Sequence, residues 1–133
     1  SGLTIAVGEE WRTVYDARLR IERAACHIIQ PEMGHTGITQ FMRIGRCAEN
    51  HGLAIIPHAT IGSGIFLAAS LQASAALRGV ESHEFQHSIF EPFRSFTDDT
   101  LRCEKGRYFV PRGPGLGVQP SDEMKSNMTR VSA

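Results

Sequence analysis

Glu9, Glu32, His58 and Glu84 stand 23, 26 and 26 residues apart. Each closes or follows a short apolar run that reads as a β-strand: Leu3–Val7, Cys26–Gln30, Leu53–Pro57 and Val80–His83. The intervals each hold one strand, one helix and their loops. In a parallel βα array every strand ends on the same face, and in barrels of that kind this face carries the active site. The spacing therefore gathers three carboxylates and an imidazole in one place. Such a group suits proton transfer, and carboxylates are also the ligands that hard divalent cations take.

The segments between the runs supply the helices. Trp11–Arg23 has apolar residues at helical spacing, preceded by Glu9 and Glu10, whose charges suit a helix N-terminus. Gly34 to Gly37 reads as a turn, and Thr36 or Thr39 would cap a helix over roughly Gln40–Asn50, ended by Gly52. Leu53–Ile56 is apolar throughout, as in a parallel strand covered on both faces. Gly62-Ser63-Gly64 opens an alanine-rich helix, Ile65–Leu77, and Val80–Phe85 follows as the fourth strand. After Pro92 the βα rhythm stops. Leu101–Val110 reads as a hairpin turning at Lys105-Gly106, Pro111–Val118 as a Gly/Pro loop, and Ser121–Ala133 as a polar, fraying tail.

The chain has 133 residues, 41% of them hydrophobic, which is enough to bury one core. Its 14 basic residues balance 14 acidic ones, so nothing points to nucleic acid. No apolar stretch approaches the ~20 residues that span a bilayer, and the N-terminus has neither a basic start nor an apolar core, so neither a membrane segment nor a secretory leader is expected. Cys26, Cys47 and Cys103 are an odd set without CxxC spacing. They read as buried thiols of a protein in the reducing cytoplasm.

The expected fold is α/β. Residues 1–95 form parallel βα units, and residues 96–133 form an extension of hairpin, loop and tail. Four units fall short of a closed (β/α)8 barrel, which takes about 250 residues. Half a barrel leaves raw sheet edges. The expectation is thus the C-terminal portion of a larger enzyme, or a half-barrel that must dimerise.

The motifs IAVGEEW (Ile5–Trp11), IIQPEMGHTGIT (Ile28–Thr39), CAENHGLAIIPH (Cys47–His58), ESHEF (Glu81–Phe85) and PGLGV (Pro114–Val118) fall in an order that resembles the enolase superfamily, in its mandelate racemase/muconate lactonizing enzyme-like branch. The resemblance implies the C-terminal half of a TIM-like barrel. It implies that Glu9 is the third carboxylate on Mg²⁺, that Glu32 and His58 are a carboxylate–histidine dyad, and that Glu84 hydrogen-bonds the substrate carboxylate or its enolate. Two positions depart from the family: the dyad carboxylate is usually Asp, and His27 stands where an acid is common. The family's other metal carboxylates and its basic residues of strand two would lie upstream of Ser1.

Each residue also has a plainer reading. Glu9 would be a helix N-terminal charge, Glu32 a cap on the turn after Pro31, and His58 a satisfied structural histidine. Glu81, His83 and His87 compete with Glu84. His35 reads as a solvated loop residue, although it would reach substrate from its turn. His51 suits a helix C-terminus. Gly62-Ser63-Gly64 carries only a weak anion-site signal.

The leading functional reading is a Mg²⁺-dependent acid-sugar dehydratase, with a small-molecule acid sugar or hydroxy acid as substrate and His58, Glu32 and Glu84 as catalytic residues. A sugar-lactone cycloisomerase is second and a racemase or epimerase third. The complete enzyme is expected to be a homo-oligomer. The chain without its upstream half is expected to be inactive, and a rival reading makes it a truncated, non-catalytic product.

Overall fold

The computed structural model describes residues 2–59, 62–98 and 100–131. Strands β1 (Ala6–Val7), β2 (Ile28–Ile29) and β3 (Ala54–Ile55) lie side by side in chain order, all parallel, with Ala6 opposite Ile28 and Ile28 opposite Ala54. Alternation along each strand sorts the side chains. Val7, Ile29 and Ile55 point to the helical side, where Ile29 and Ile55 are fully buried, whereas Ala6 and Ala54 are exposed on the other face. The apolar run of β3 is thus covered on one face only within this chain.

Helices α1 (Val14–Ile21), α2 (Met33–Asn50) and α3 (Gly64–Ala75) supply that cover, with α2 in the middle against both neighbours. Their inward side chains are Ala17 and Ile21, then Phe41, Ile44 and Ala48, then Ala69 and Ala73, which meet the strands in one core with Trp11 and Met33. α1 starts later than the apolar spacing suggests, because Asp16 Oδ2 accepts from the Thr13 backbone N–H at 3.0 Å and fixes the cap there.

α2 starts earlier than expected. Glu32 is its N-cap: the side chain accepts from Gly34 N–H at 3.0 Å, and its carbonyl receives Thr36 Oγ1–H at 2.9 Å. A first turn forms over the segment read as a loop. Gly37, at φ 62° and ψ 170°, then breaks the helix before the main body continues, a conformation that suits glycine.

The expected strand Val80–His83 shrinks to a single parallel bridge between Ile55 and Val80. Glu81 and Ser82 are exposed and bury nothing against the helices, so the ladder lapses. One more backbone bond, Glu84 N–H to Pro57 C=O at 3.2 Å, still ties Glu84 to the end of β3.

A further helix, α4 (His87–Arg94), follows where no helix was anticipated; Pro92 hid it, and it offers no N–H to the Ser88 carbonyl, so the helix ends two residues later. β4 (Arg102–Glu104) and β5 (Arg107–Phe109) form the expected antiparallel hairpin. Lys105 (φ 51°) and Gly106 (φ 75°) both take positive φ, as a type I′ turn requires. Residues 96–98 and 100–121 fold back on α3. Leu101 and Val118 are buried against Ala68 and Leu71, and Gln72 Nε2 donates to the carbonyls of Pro111 (2.7 Å) and Leu116 (3.1 Å), holding the Gly/Pro loop. The polar tail is not wholly frayed: Ser121 caps a short helix, α5 (Asp122–Ser126), by accepting from Met124 N–H at 3.2 Å. Its last two residues, 132–133, lie outside the described residues. No helix among the described residues is long and apolar enough to cross a membrane.

Among the described residues, Phe41 is the largest fully buried side chain and stands where α2 meets the sheet. Phe41→Ala removes its contacts without letting three helices collapse into the gap. The expected cost is about 3–5 kcal/mol, read as a lowered denaturant midpoint; a loss below 1 kcal/mol would contradict this placement of the core.

Candidate active site

Backbone pairing alone places the strand ends together. His58 N–H donates to Pro31 C=O at 3.2 Å, and Gln30 N–H to Val7 C=O at 2.8 Å, so the residues just past β1, β2 and β3 form a row. Glu9 leaves the row through Gly8. A Cβ at Gly8 would lie 3.0 Å from Gln30 N and 3.2 Å from the Trp11 ring, and its φ is +132°, so glycine lets the chain turn out beside β2. His35, exposed as expected although it lies on the first turn of α2, also holds the turn by donating from Nδ1 to the Glu9 carbonyl at 2.9 Å.

His58 is the centre. Its Nδ1 lies 2.5 Å from Glu32 Oε2. Its Nε2 lies 3.7 Å from Glu9 Oε2 and 3.8 Å from Glu84 Oε2. All four sequence-selected residues therefore meet on one face. Glu32 is 7% exposed, His58 23%, Glu84 34% and Glu9 52% by side chain, so the group grades from a buried anchor to an open carboxylate.

Glu32 satisfies both of its sequence readings at once. Oε1 caps α2 through Gly34 N–H, and Oε2 takes His58 Nδ1–H. Neither oxygen is left bare in its buried position, which is what a buried carboxylate needs. The bond also fixes the His58 tautomer, with Nδ1 protonated and Nε2 turned toward Glu9 and Glu84.

Glu84 is held as firmly. Oε1 accepts from Gln30 Nε2 at 2.5 Å and Oε2 from Ala59 N–H at 3.0 Å. Its rivals fall away. Glu81 and His87 are exposed, and His83 turns inward to Ser70 Oγ at 2.8 Å. His51 donates from Nδ1 to the Cys47 carbonyl at the end of α2, as its position suggested. Gly64 is a packing residue, since a Cβ there would lie 2.6 Å from Leu101 and 2.9 Å from Thr97. Gln30 is the site residue that sequence reasoning missed. Its place as the last residue of an apolar strand, in line with Glu9 and His58, was the available signal.

Burial disfavours the imidazolium of His58, but the Glu32 hydrogen bond and the charges of Glu32, Glu84 and Glu9 outweigh it and raise its pKa above the ordinary 6.5. Burial lowers that of His83, against the opposing pull of Glu84.

Residues 1–124 match the enolase C-terminal domain-like family. The chain belongs to that family. It is the C-terminal half of the family's TIM barrel, with parallel strands. It is 32% identical over 126 residues to a D-galactarolactone cycloisomerase of Agrobacterium fabrum and 29% over 129 residues to a D-galactonate dehydratase of Pectobacterium atrosepticum. Those matches cover 88% and 92% of this chain, which spans 33% and 34% of the two relatives. Among solved structures it resembles a member of the enolase superfamily from Agrobacterium tumefaciens, at 58% identity and TM-score 0.93, over 98% of this chain and 34% of that one. A candidate isomerase from Sinorhizobium meliloti matches at 63% identity and TM-score 0.91, over 95% of this chain and 33% of the other.

The raised pKa of His58 makes a prediction with a definite sign. The ion pair stabilises the folded chain in full below pH 6.5, and its contribution is lost as pH rises through the raised folded-state value. Glu32→Gln keeps an oxygen for Gly34 but removes the charge. The His58 titration, followed through its imidazole NMR shifts, should move down in pH; an unchanged midpoint would contradict the dyad.

Proposed function

We propose that this chain carries half of the catalytic face of an enolase-superfamily enzyme that removes the proton α to the carboxylate of an acid sugar, most simply as a dehydratase. The observation that supports this most is the His58 imidazole, tethered through Nδ1 to a buried carboxylate and open at Nε2 between two further carboxylates. That arrangement gives Nε2 a proton to donate and a partner that stabilises the charged ring.

In dehydration a base takes the α-proton and the His58 imidazolium, favoured by its carboxylate neighbours, gives its Nε2 proton to the departing β-hydroxyl. Glu32 holds the ring in place and stabilises the imidazolium before transfer. Glu84, held by Gln30 and Ala59, would in its carboxylic-acid form donate a hydrogen bond to the substrate carboxylate or its enolate. A lactone cycloisomerase is the second reading, favoured by the name of the 32%-identical relative. There the same Nε2 would deliver its proton to carbon or oxygen of a ring-opened enediolate. Assay of D-galactonate, L-rhamnonate and D-galactarolactone with the full-length protein separates the two by product.

The family resemblance also brings Mg²⁺, which when bound would stabilise the enediolate oxygens. Glu9 is the residue here that would hold it. The chain does not complete such a site: among the described residues, no three His, Cys, Asp or Glu side chains are arranged to hold a metal. Mg²⁺ prefers near-octahedral oxygen coordination, and one half-exposed carboxylate leaves most of that shell to water.

Two outcomes follow. In the full-length enzyme, His58→Asn should lower the rate of dehydration by at least about a hundredfold, the loss expected of a general acid; dehydration at the wild-type rate would remove His58 from the mechanism. The 133-residue chain alone should bind Mg²⁺ only weakly by calorimetry and turn over none of the three sugars. Tight binding or turnover would show that this chain completes the site unaided.

A further inference from the structure

Glu84 is constrained at both ends. Its carboxylate oxygens are taken by Gln30 and Ala59. Its backbone carbonyl receives two more bonds, from His83 Nδ1–H at 2.9 Å and from Tyr108 Oη–H at 3.2 Å. Tyr108 belongs to β5 of the C-terminal hairpin, 24 residues further along the chain. We infer that the hairpin is a working part of the active site, with Tyr108, backed by His83 and Ser70, as a positioning residue that aims the Glu84 carboxylate. This rests on the reading that Glu84 faces the substrate.

Several features support a fixed donor. The His83 ring stands edge-on to Tyr108, with centroids 5.5 Å apart, and its Nε2 accepts from Ser70 Oγ at 2.8 Å. Ser70 is fully buried on α3, so the ring is anchored to a helix of the core. With Nδ1 donating and Nε2 accepting, His83 is neutral and its two bonds set its orientation. Phe85 and Phe90 also pack against Tyr108, with ring centroids at 5.8 and 6.0 Å. Burial pushes the Tyr108 phenol well above its ordinary range, so the hydroxyl keeps its proton. Beyond β5, Gln72 grips Pro111 and Leu116 and fixes the route by which the hairpin returns.

The geometry has a purpose at Glu84. A glutamate side chain has three rotatable bonds, and misplacement by about 1 Å of a group that contacts substrate costs catalysis heavily. Strand pairing has lapsed after Val80, so the sheet ladder offers Glu84 only its bond to Pro57. The hairpin supplies what the missing ladder would have given.

The test is a cycle in the full-length enzyme with Tyr108→Phe, Glu84→Gln and the double variant. Phenylalanine keeps the ring packing and loses only the hydroxyl. Tyr108→Phe should lower kcat/KM by about three- to tenfold, the effect of one hydrogen bond, with little change in thermal midpoint. On the Glu84→Gln background it should have no further effect; an equal loss on both backgrounds would overturn the inference. Amide exchange at Ala59 reads the same contact without substrate. Tyr108→Phe should speed it by about tenfold while Ile55 and Ile56 N–H stay protected, and an unchanged Ala59 rate would overturn the inference. Wild-type turnover by Glu84→Gln would instead remove Glu84 from the site, and Ala59 exchange would still report whether Tyr108 holds its carboxylate.

Discussion

A carboxylate removed from water costs several kcal/mol unless partners replace its hydration. Glu32 is nearly buried, and the way it meets that cost sets the rest of the site. One oxygen takes a backbone N–H at the start of α2, and the other takes the His58 imidazole from the next strand. The pair thus joins a helix N-terminus to two strand ends. It orients the ring, leaves Nε2 exposed to the space between Glu9 and Glu84, and keeps the imidazolium favourable despite partial burial. Glu32 caps the first turn of α2, which ends at the kink at Gly37.

The same logic extends outward through Glu84. Its carboxylate ties the ends of β2 and β3 together through Gln30 and Ala59, and its carbonyl collects donors from its neighbour and from the hairpin. The face that gathers Glu9, Glu32, His58 and Glu84 is therefore assembled by hydrogen bonds that cross between elements, on a three-stranded sheet whose regular pairing is very short. Hydrophobic packing lies beneath, in Phe41, Ile29, Ile44 and Ile55, and fixes the layer on which those polar links stand.

What could be read from residues follows from what sets each feature. The convergence of Glu9, Glu32, His58 and Glu84 was legible because a βα unit has a nearly constant length, so even spacing maps to one face. The hairpin was legible at Lys105-Gly106, where the turn demands positive φ. The fourth strand was overread, because apolar Val80 leads into Glu81 and Ser82, which have nothing to bury against. The helix His87–Arg94 was missed because Pro92 reads as a stop, and in the structure it closes a helix already begun five residues earlier. The double duty of Glu32 was hidden for another reason. Cap and dyad appeared as alternatives, and only the placement of both oxygens showed that one carboxylate performs both roles. Long-range partners such as Ser70 for His83, or Tyr108 for Glu84, leave no local trace in sequence.

The dyad can be examined directly in the ring nitrogens of His58. With ¹⁵N-labelled histidine, the account predicts Nδ1 protonated at every pH where the fold persists, with its proton shifted far downfield by the 2.5 Å contact to Glu32, and Nε2 alone losing its proton on titration. A His58 whose Nδ1 loses the proton while Nε2 keeps it would contradict the account, because the buried carboxylate would then no longer hold the ring.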